Sequence, residues 1–521
     1  MMSNAADKTP VRIKNNRFIH HRKDLWFICF ILLISLLLHL FFLSEKNLLP
    51  EEAYYWNYAN HLDIGYLDHP PMVAFLIKLS TTLFGINELS VRITTLVCWF
   101  FTALFSFKWS DRIAGQSGLY ALLVVAILPF FFLQSLIITP DAPLILCWSA
   151  ALYYLYGALV MEDTRSWYAA GIWIGLGLLS KYTIVLLGPV TLLYMVITPS
   201  ARFWFFRREP YLCALIAGLL FTPVIYWNAT HEWMSFVFQF NRRIEDINHF
   251  SFLSFIGLLA LFLLPPGVVH LWQLLKSNLP DTKRHHENTL QFLRIYTFSP
   301  LLFFAFFSIR HEIKFNWIGP VILALIPWMA LLIARHSKIR AIWFYGSTGM
   351  LLIYAILISM ITIGSPTMVY QQLFRKFIAW DDLTQQLHAI AKQVESKAEA
   401  RPVFVPLERY HISSELSFYQ ARLQADGRLN HAYPIISRHI FGEGSLMYSY
   451  WDGFPNLAGK NLILVSQDRD HFDNPNLTRQ ILVKSPLTMI WSHNPNHHTP
   501  LKPYYYQIVR MKQNTLQKST P

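Results

Sequence analysis

Charge and cysteine are scarce in this chain. Only 14% of its 521 residues are Asp, Glu, Lys or Arg, about half the share of an ordinary soluble domain, which excludes a fully solvated surface over most of its length. The four cysteines, Cys29, Cys98, Cys147 and Cys213, all fall in apolar segments and show neither zinc-site spacing nor a disulfide framework. There is no P-loop or Rossmann fingerprint, so the familiar nucleotide-binding loops are missing. Internal repeats and low-complexity tracts are missing too. Acidic residues are outnumbered 31 to 44 by Lys and Arg, but the basic excess is scattered between apolar runs. Such scatter fits membrane topology signals better than a nucleic-acid patch, so no nucleic-acid partner is expected.

Apolar and aromatic residues are plentiful instead. The chain is 54% hydrophobic and 16% aromatic, a composition that predicts a polytopic α-helical membrane protein in contact with membrane lipids. Leu25 to Leu43 carries no Asp, Glu, Lys or Arg and is long enough to cross a hydrocarbon core. It is too long for a signal-peptide core and no small-residue cleavage site follows, so it reads as a retained anchor. Arg17, Arg22 and Lys23 precede it, which predicts a cytoplasmic segment over 1–24. Further spans are expected near 91–108, 117–138, 141–160, 167–181, 182–198, 210–227, 251–275, 291–309, 316–334 and 341–363, about eleven in all. With this threading, clusters such as Arg202, Arg207 and Arg208, or Arg335, Lys338 and Arg340, recur on one side, as the positive-inside rule requires.

Pro71 to Gly85 is apolar but short, interrupted by Lys78 and preceded by two prolines. Counting it as a span would put every later basic cluster outside, so it is expected to be an interfacial or re-entrant helix of the first outer loop. The membrane domain is expected over 25–368. From 369 to 521 the composition changes: a helical stripe runs from Asp381 to Glu399, and strand-like runs follow at Pro402–Val405, Asn461–Val465, Ile481–Lys484 and Tyr504–Val509. This predicts a soluble α/β domain on the outer side.

Each polar residue on the outer connections has an ordinary explanation. Glu51 and Glu52 suit a helix start, as does Asp141 between two prolines. Asp68-His69-Pro70-Pro71 reads as a turn, and Lys181 could snorkel to headgroups. Arg242, Arg243, Arg310 and Lys314 could meet anionic lipid nonspecifically. Together they carry more. Carboxylates and cations on one membrane face suit a reaction between a polar acceptor and a lipid-linked phosphosugar. An anionic phosphodiester leaving group needs Lys, Arg or His beside it, and a carboxylate can take a proton from an attacking hydroxyl while the sugar gains oxocarbenium character.

The stretch EEAYYWNYANHLDIGYLDHPPMVAFLIKLSTTLFG, followed by Arg92, resembles the bacterial glycosyltransferases of the C-type (GT-C) membrane fold, specifically the group related to protein O-mannosyltransferases and the aminoarabinose lipid A transferase. TPDAPL from Thr139 and LLSKYT from Leu178 resemble it as well, and SFYQ, YSYW and GKNLILV extend the likeness weakly into the C-terminal region. The resemblance implies an inverting transferase of the inner membrane, acting on its outer face. It implies a polyprenyl-phosphate-linked sugar donor and a lipid, glycan or protein acceptor, with lipid A a natural candidate. It implies Glu51 as catalytic acid, with Glu52 and Asp141 as further catalytic carboxylates. The family's usual pair is Asp-Glu, so Glu51 departs by one methylene. Asp68 and His69 fall where the lipid A transferases have Glu-Lys, and are expected to bind substrate. Lys181, Arg242, Arg310 and Lys314 are expected phosphate or acceptor contacts on physical grounds. The family has members with and without metal; no convincing ligand set stands out, and a divalent metal is left open. A lipid-sugar flippase or transporter is the alternative class, and a membrane scaffold a third. Against a transporter, the charges crowd the outer mouth rather than the bilayer midplane.

Overall fold

The structure is a computed structural model that describes residues 22–45, 47–244, 250–277, 284–363, 379–398, 400–493 and 500–513. The expected boundary at 368/369 and most of the N-terminal segment 1–24 lie outside these residues. Helix α1 (Arg22–Glu45) opens the chain, and two short helices follow it, α2 (Pro50–Asn60) and α3 (Met72–Phe84). With 13 residues α3 is about 20 Å long, too short to cross a bilayer, and it lies in the first connection as expected.

The bundle continues through α4 (Glu88–Ile113), α5 (Gly118–Ile127), α6 (Pro129–Gln134), α7 (Asp141–Leu159), α8 (Thr164–Leu178), α9 (Leu187–Ile197), α10 (Glu209–Thr230) and α11 (Met234–Ile244). It closes with α12 (Phe252–Lys276), α13 (Arg284–Phe307), α14 (Phe315–Ile322), α15 (Ile326–Arg335) and α16 (Ser337–Ile363). Among the described residues eight helices or helical runs are long and apolar enough to cross a membrane, and nine if the bent segment 182–206 is one span. Two expected spans fall short of that test. Segment 117–138 is broken where Pro129 cannot continue the helix begun by α5, and α8 is only 15 residues long.

Contacts show that both still connect the two ends of the bundle. Tyr120 of α5 donates to Asp24 at the start of α1 (2.9 Å), Ser135 beyond α6 meets His39 late in α1 (2.5 Å), and Ile138 meets Glu52 past its end (3.0 Å). Likewise α8 leaves the end of α7, where Ser166 lies beside Gly157, and brings Lys181 back to Asp141 at the head of α7. The alternating ends match the eleven-segment threading. Below, the end carrying Glu52 is called the site end.

The C-terminal region contains α17 (Trp380–Ala398), β1 (Val403–Pro406), α18 (His411–Ala425), β2 (Asn461–Ser466), β3 (Ile481–Lys484), β4 (Thr488–His493) and β5 (Pro500–Met511). The strand order is β1-β2-β5-β3, with β4 also paired to β5. The β1–β2 pair is parallel and the pairs with β5 are antiparallel. The first three expected strands coincide closely with β1, β2 and β3, and the fourth is the core of the longer β5. β4 and α18 were not anticipated. This region sits on the site end: α2, α3, α17, α18 and the strands share one apolar cluster that includes Trp56, Ile77, Leu387, Phe418 and Ile463.

Candidate active site at the first connection

Glu52 and Arg92 are both fully buried and form a two-pronged pair, Arg92 Nε to Oε1 (2.9 Å) and Nη2 to Oε2 (2.6 Å). The same carboxylate accepts from the Leu49 N–H (2.9 Å) and the Ile138 N–H (3.0 Å). Arg92 Nη2 also donates to the Asn47 carbonyl (2.8 Å). One side chain therefore caps α2, as the helix-start explanation anticipated, and ties it to α4 and to the chain after α6. A buried charge needs this degree of satisfaction, because an unpaired one costs several kcal/mol.

Glu51, one residue earlier, is half-buried. Its carboxylate accepts from Tyr410 Oη at 3.5 Å. α2 then presents Tyr54, Tyr55 and Tyr58 one turn further on, all buried. Tyr58 and Tyr54 donate to the same Asp68 oxygen, Tyr54 at 3.3 Å. The Tyr55 ring meets His69 edge-on at 5.8 Å. Burial first, then the charges of Asp68, Tyr410, Glu51 and Asp141, push the Tyr55 hydroxyl well above the usual phenol range. Three of the four expected acids, Asp68, Glu51 and Asp141, thus act on Tyr55.

The turn region at 64–71 is held from outside; its glycine is Gly65, where a Cβ would lie 2.6 Å from the Trp227 ring. Trp227 Nε1 donates to Asp63 (2.9 Å), and the Met72 N–H donates to the Leu179 carbonyl (2.9 Å). Asp68 and His69 are thereby fixed next to the end of α8.

Asp141, at the head of α7, is buried. It accepts from Lys181 Nζ (2.7 Å) on one oxygen and from Asn316 Nδ2 (2.8 Å) on the other. Lys181, also buried, opens onto a cavity of about 150 Å³ that is further walled by Asp68, His69, His311, Lys314 and Asn316. Five expected residues, Asp68, His69, Asp141, Lys181 and Lys314, thus gather at one place, four as cavity wall and Asp141 behind Lys181. Arg310 is exposed and outside that wall. Arg242 falls on the last turn of α11, and its side chain lies outside the described residues.

Arg92 and Asn316 were visible in the sequence only as neighbours of motifs. Gln239, which donates to the Asp68 carbonyl (2.6 Å), and Tyr410 carried no local signal. Among the described residues no group of three or more His, Cys, Asp or Glu could hold a metal ion. Asp141 and Asp68 are already engaged by Lys181, Asn316 and the two phenols. The described residues therefore do not offer a ligand set.

Residues 68–227 match the family described as dolichyl-phosphate-mannose-protein mannosyltransferase. Over 204 residues the chain is 27% identical to the lipid A galacturonosyltransferase RgtD of Rhizobium johnstonii, covering 39% of this chain and 41% of that protein. The chain thus matches about two fifths of that relative's length. The crystal structure of ArnT from Cupriavidus metallidurans in the apo state aligns with a TM-score of 0.61 at 14% identity, covering 93% of this chain and 98% of ArnT. The same protein bound to undecaprenyl phosphate gives 0.63 at 14% identity, with 95% and 99% covered. The resemblance drawn from the first outer loop is thus matched: the chain has the GT-C membrane fold of ArnT, and parts of it are similar in sequence to membrane glycosyltransferases.

Proposed function

We propose that the chain is an inverting glycosyltransferase that moves a monosaccharide from a polyprenyl-phosphate carrier to an acceptor, lipid A first, on the outer face of the inner membrane. The observation that carries this reading is the cavity itself. It combines Lys181, Lys314 and two histidines with carboxylates at one end of an apolar helical bundle. The undecaprenyl phosphate bound by ArnT and the lipid A acted on by RgtD support the choice of donor and acceptor.

In this reading the acceptor oxygen attacks the anomeric carbon as its bond to the carrier phosphate breaks. The bonding electron pair leaves with the phosphate oxygen, giving free polyprenyl phosphate. Lys181 and Lys314, with His69 alongside, stabilise the charge that develops on that phosphate. Glu51 accepts the proton of the acceptor, whether a hydroxyl or the protonated oxygen of a lipid A phosphate. Glu52, expected beside it as a catalytic carboxylate, is assigned a positioning role because Arg92 and two backbone N–H groups occupy it. Asp141 acts through Lys181, holding its ammonium at the cavity. Asp68 fixes the tyrosine face of α2. Arg310 and Arg242 receive no part.

The test is the mass spectrum of lipid A from host cells lacking the gene, complemented with wild type or Glu51→Gln at equal membrane levels. A sugar-sized increment with wild type alone supports the reading and gives the sugar class. Identical lipid A in all three removes lipid A as acceptor and shifts attention to glycan hydroxyls and protein Ser or Thr.

A further inference from the structure

The C-terminal region has so far no part in the chemistry, yet it reaches the proposed catalytic carboxylate. The chain leaving β1 turns toward the membrane domain. Arg409 lies 5.9 Å from the Phe238 ring of α11, and the Tyr410 ring lies 4.9 Å from Tyr54. The Tyr410 hydroxyl is 3.5 Å from Glu51 Oε1, and among the described residues it is the one hydrogen-bond donor to that carboxylate.

The helix that follows fixes this placement. α18 lies along α2, with Asn57 Nδ2 donating to the Ser414 carbonyl (3.3 Å) and Phe418 edge-on to Trp56 (5.2 Å). The Leu48 N–H donates to Tyr419 Oη (2.9 Å), and Arg422 pairs with Glu88 at the head of α4. Between these anchors sits Glu415, fully buried, with neither carboxyl oxygen hydrogen-bonded. Glu51, Glu52 and Glu88 surround it, and Arg92, the cation that acts on it, is already engaged by Glu52. A carboxylate there would be a buried charge without compensation, so Glu415 is held as the neutral acid. It adds no negative charge behind Glu51.

We infer that the C-terminal domain completes the active site, with Tyr410 as a positioning residue for Glu51. This rests on the transferase reading above. A phenol donating to a carboxylate selects one orientation of it. The contact is long, and catalytic hydrogen bonds commonly tighten only when substrate is bound.

The test is Tyr410→Phe in the full-length protein, which keeps the ring against Tyr54 and removes one oxygen. Initial rates are measured over a range of donor concentrations with the undecaprenyl-phosphate-linked sugar that the wild type accepts. The expected result is a roughly tenfold fall in kcat at unchanged donor KM and an unchanged unfolding midpoint. A merely structural contact would lower the amount of folded protein without changing kcat per folded enzyme. An active wild type with an unaltered Tyr410→Phe variant, or a change confined to KM, overturns this inference alone. A wild type that transfers no sugar from any such carrier overturns the transferase reading and this inference with it.

Discussion

The two ends of α1 carry the same kind of interaction in different surroundings. At its start Asp24 faces Arg340 at 3.4 Å, with the arginine side chain 21% exposed. Just beyond its other end Glu52 meets Arg92 at 2.6 Å with both side chains wholly enclosed. Asp141 and Lys181, also at the site end, are nearly as enclosed at 2.7 Å. Ion pairs near solvent contribute little because water screens them. A buried pair is costly to break, since the partner left behind has no solvent to turn to. The site end thus holds two enclosed pairs beside Glu51 and the cavity, whereas in the pair at the opposite end Arg340 stays within reach of water.

Arg92→Ala should sharpen this contrast most. It strands Glu52 and is expected to cost about 3–5 kcal/mol, read as a lowered unfolding midpoint of the purified protein in detergent. Retention of the wild-type midpoint would break the comparison. Lys181→Ala comes next. Asp141 keeps Asn316 but loses its cation, and the donor is expected to bind about 10- to 100-fold more weakly, measured as its KM or as competition by free undecaprenyl phosphate. An unchanged donor affinity would remove Lys181 from phosphate contact.

Glu415→Gln should show a smaller effect of opposite sign. Burial and neighbouring acids raise the carboxyl pKa of Glu415 in the folded state, so its contribution is fully present below the ordinary glutamate range and is lost as pH rises through the folded value. The glutamine variant should therefore melt higher than wild type at alkaline pH and gain less at pH 5. An equal difference at both pH values would show that Glu415 does not bind its proton more tightly on folding. Arg340→Ala at the opposite end is expected to change stability least, by about 1 kcal/mol, with transfer activity retained. A loss as large as that of Arg92→Ala would erase the distinction between the ends.

Much of this architecture was legible in the sequence because membrane spans and loop charges write long, periodic signals. The long apolar spans, the short α3 and most of the sheet follow from them. Segment 117–138 met Pro129, which breaks its helix without changing its route, a distinction that hydropathy does not make. Within the site, Asp68, His69, Asp141, Lys181 and Lys314 were found because each sits at the end of an apolar run, where a charge is conspicuous. The division of labour between Glu51 and Glu52 was not legible: adjacent residues on a helix point about 100° apart, and only packing decides which one meets Arg92. Tyr410 and Glu415 lie more than 350 residues beyond Glu51, and their role exists only because α18 docks on α2.

The most direct test of the account compares purified wild type with Glu51→Gln in a single-turnover assay of undecaprenyl-phosphate-linked sugar with lipid A, following free undecaprenyl phosphate and sugar-modified lipid A together. The account predicts equal amounts of both products from wild type, and a rate lowered about 10²- to 10⁴-fold in the variant at an unchanged unfolding midpoint. A folded Glu51→Gln protein that releases the carrier phosphate and modifies lipid A at the wild-type rate would contradict it.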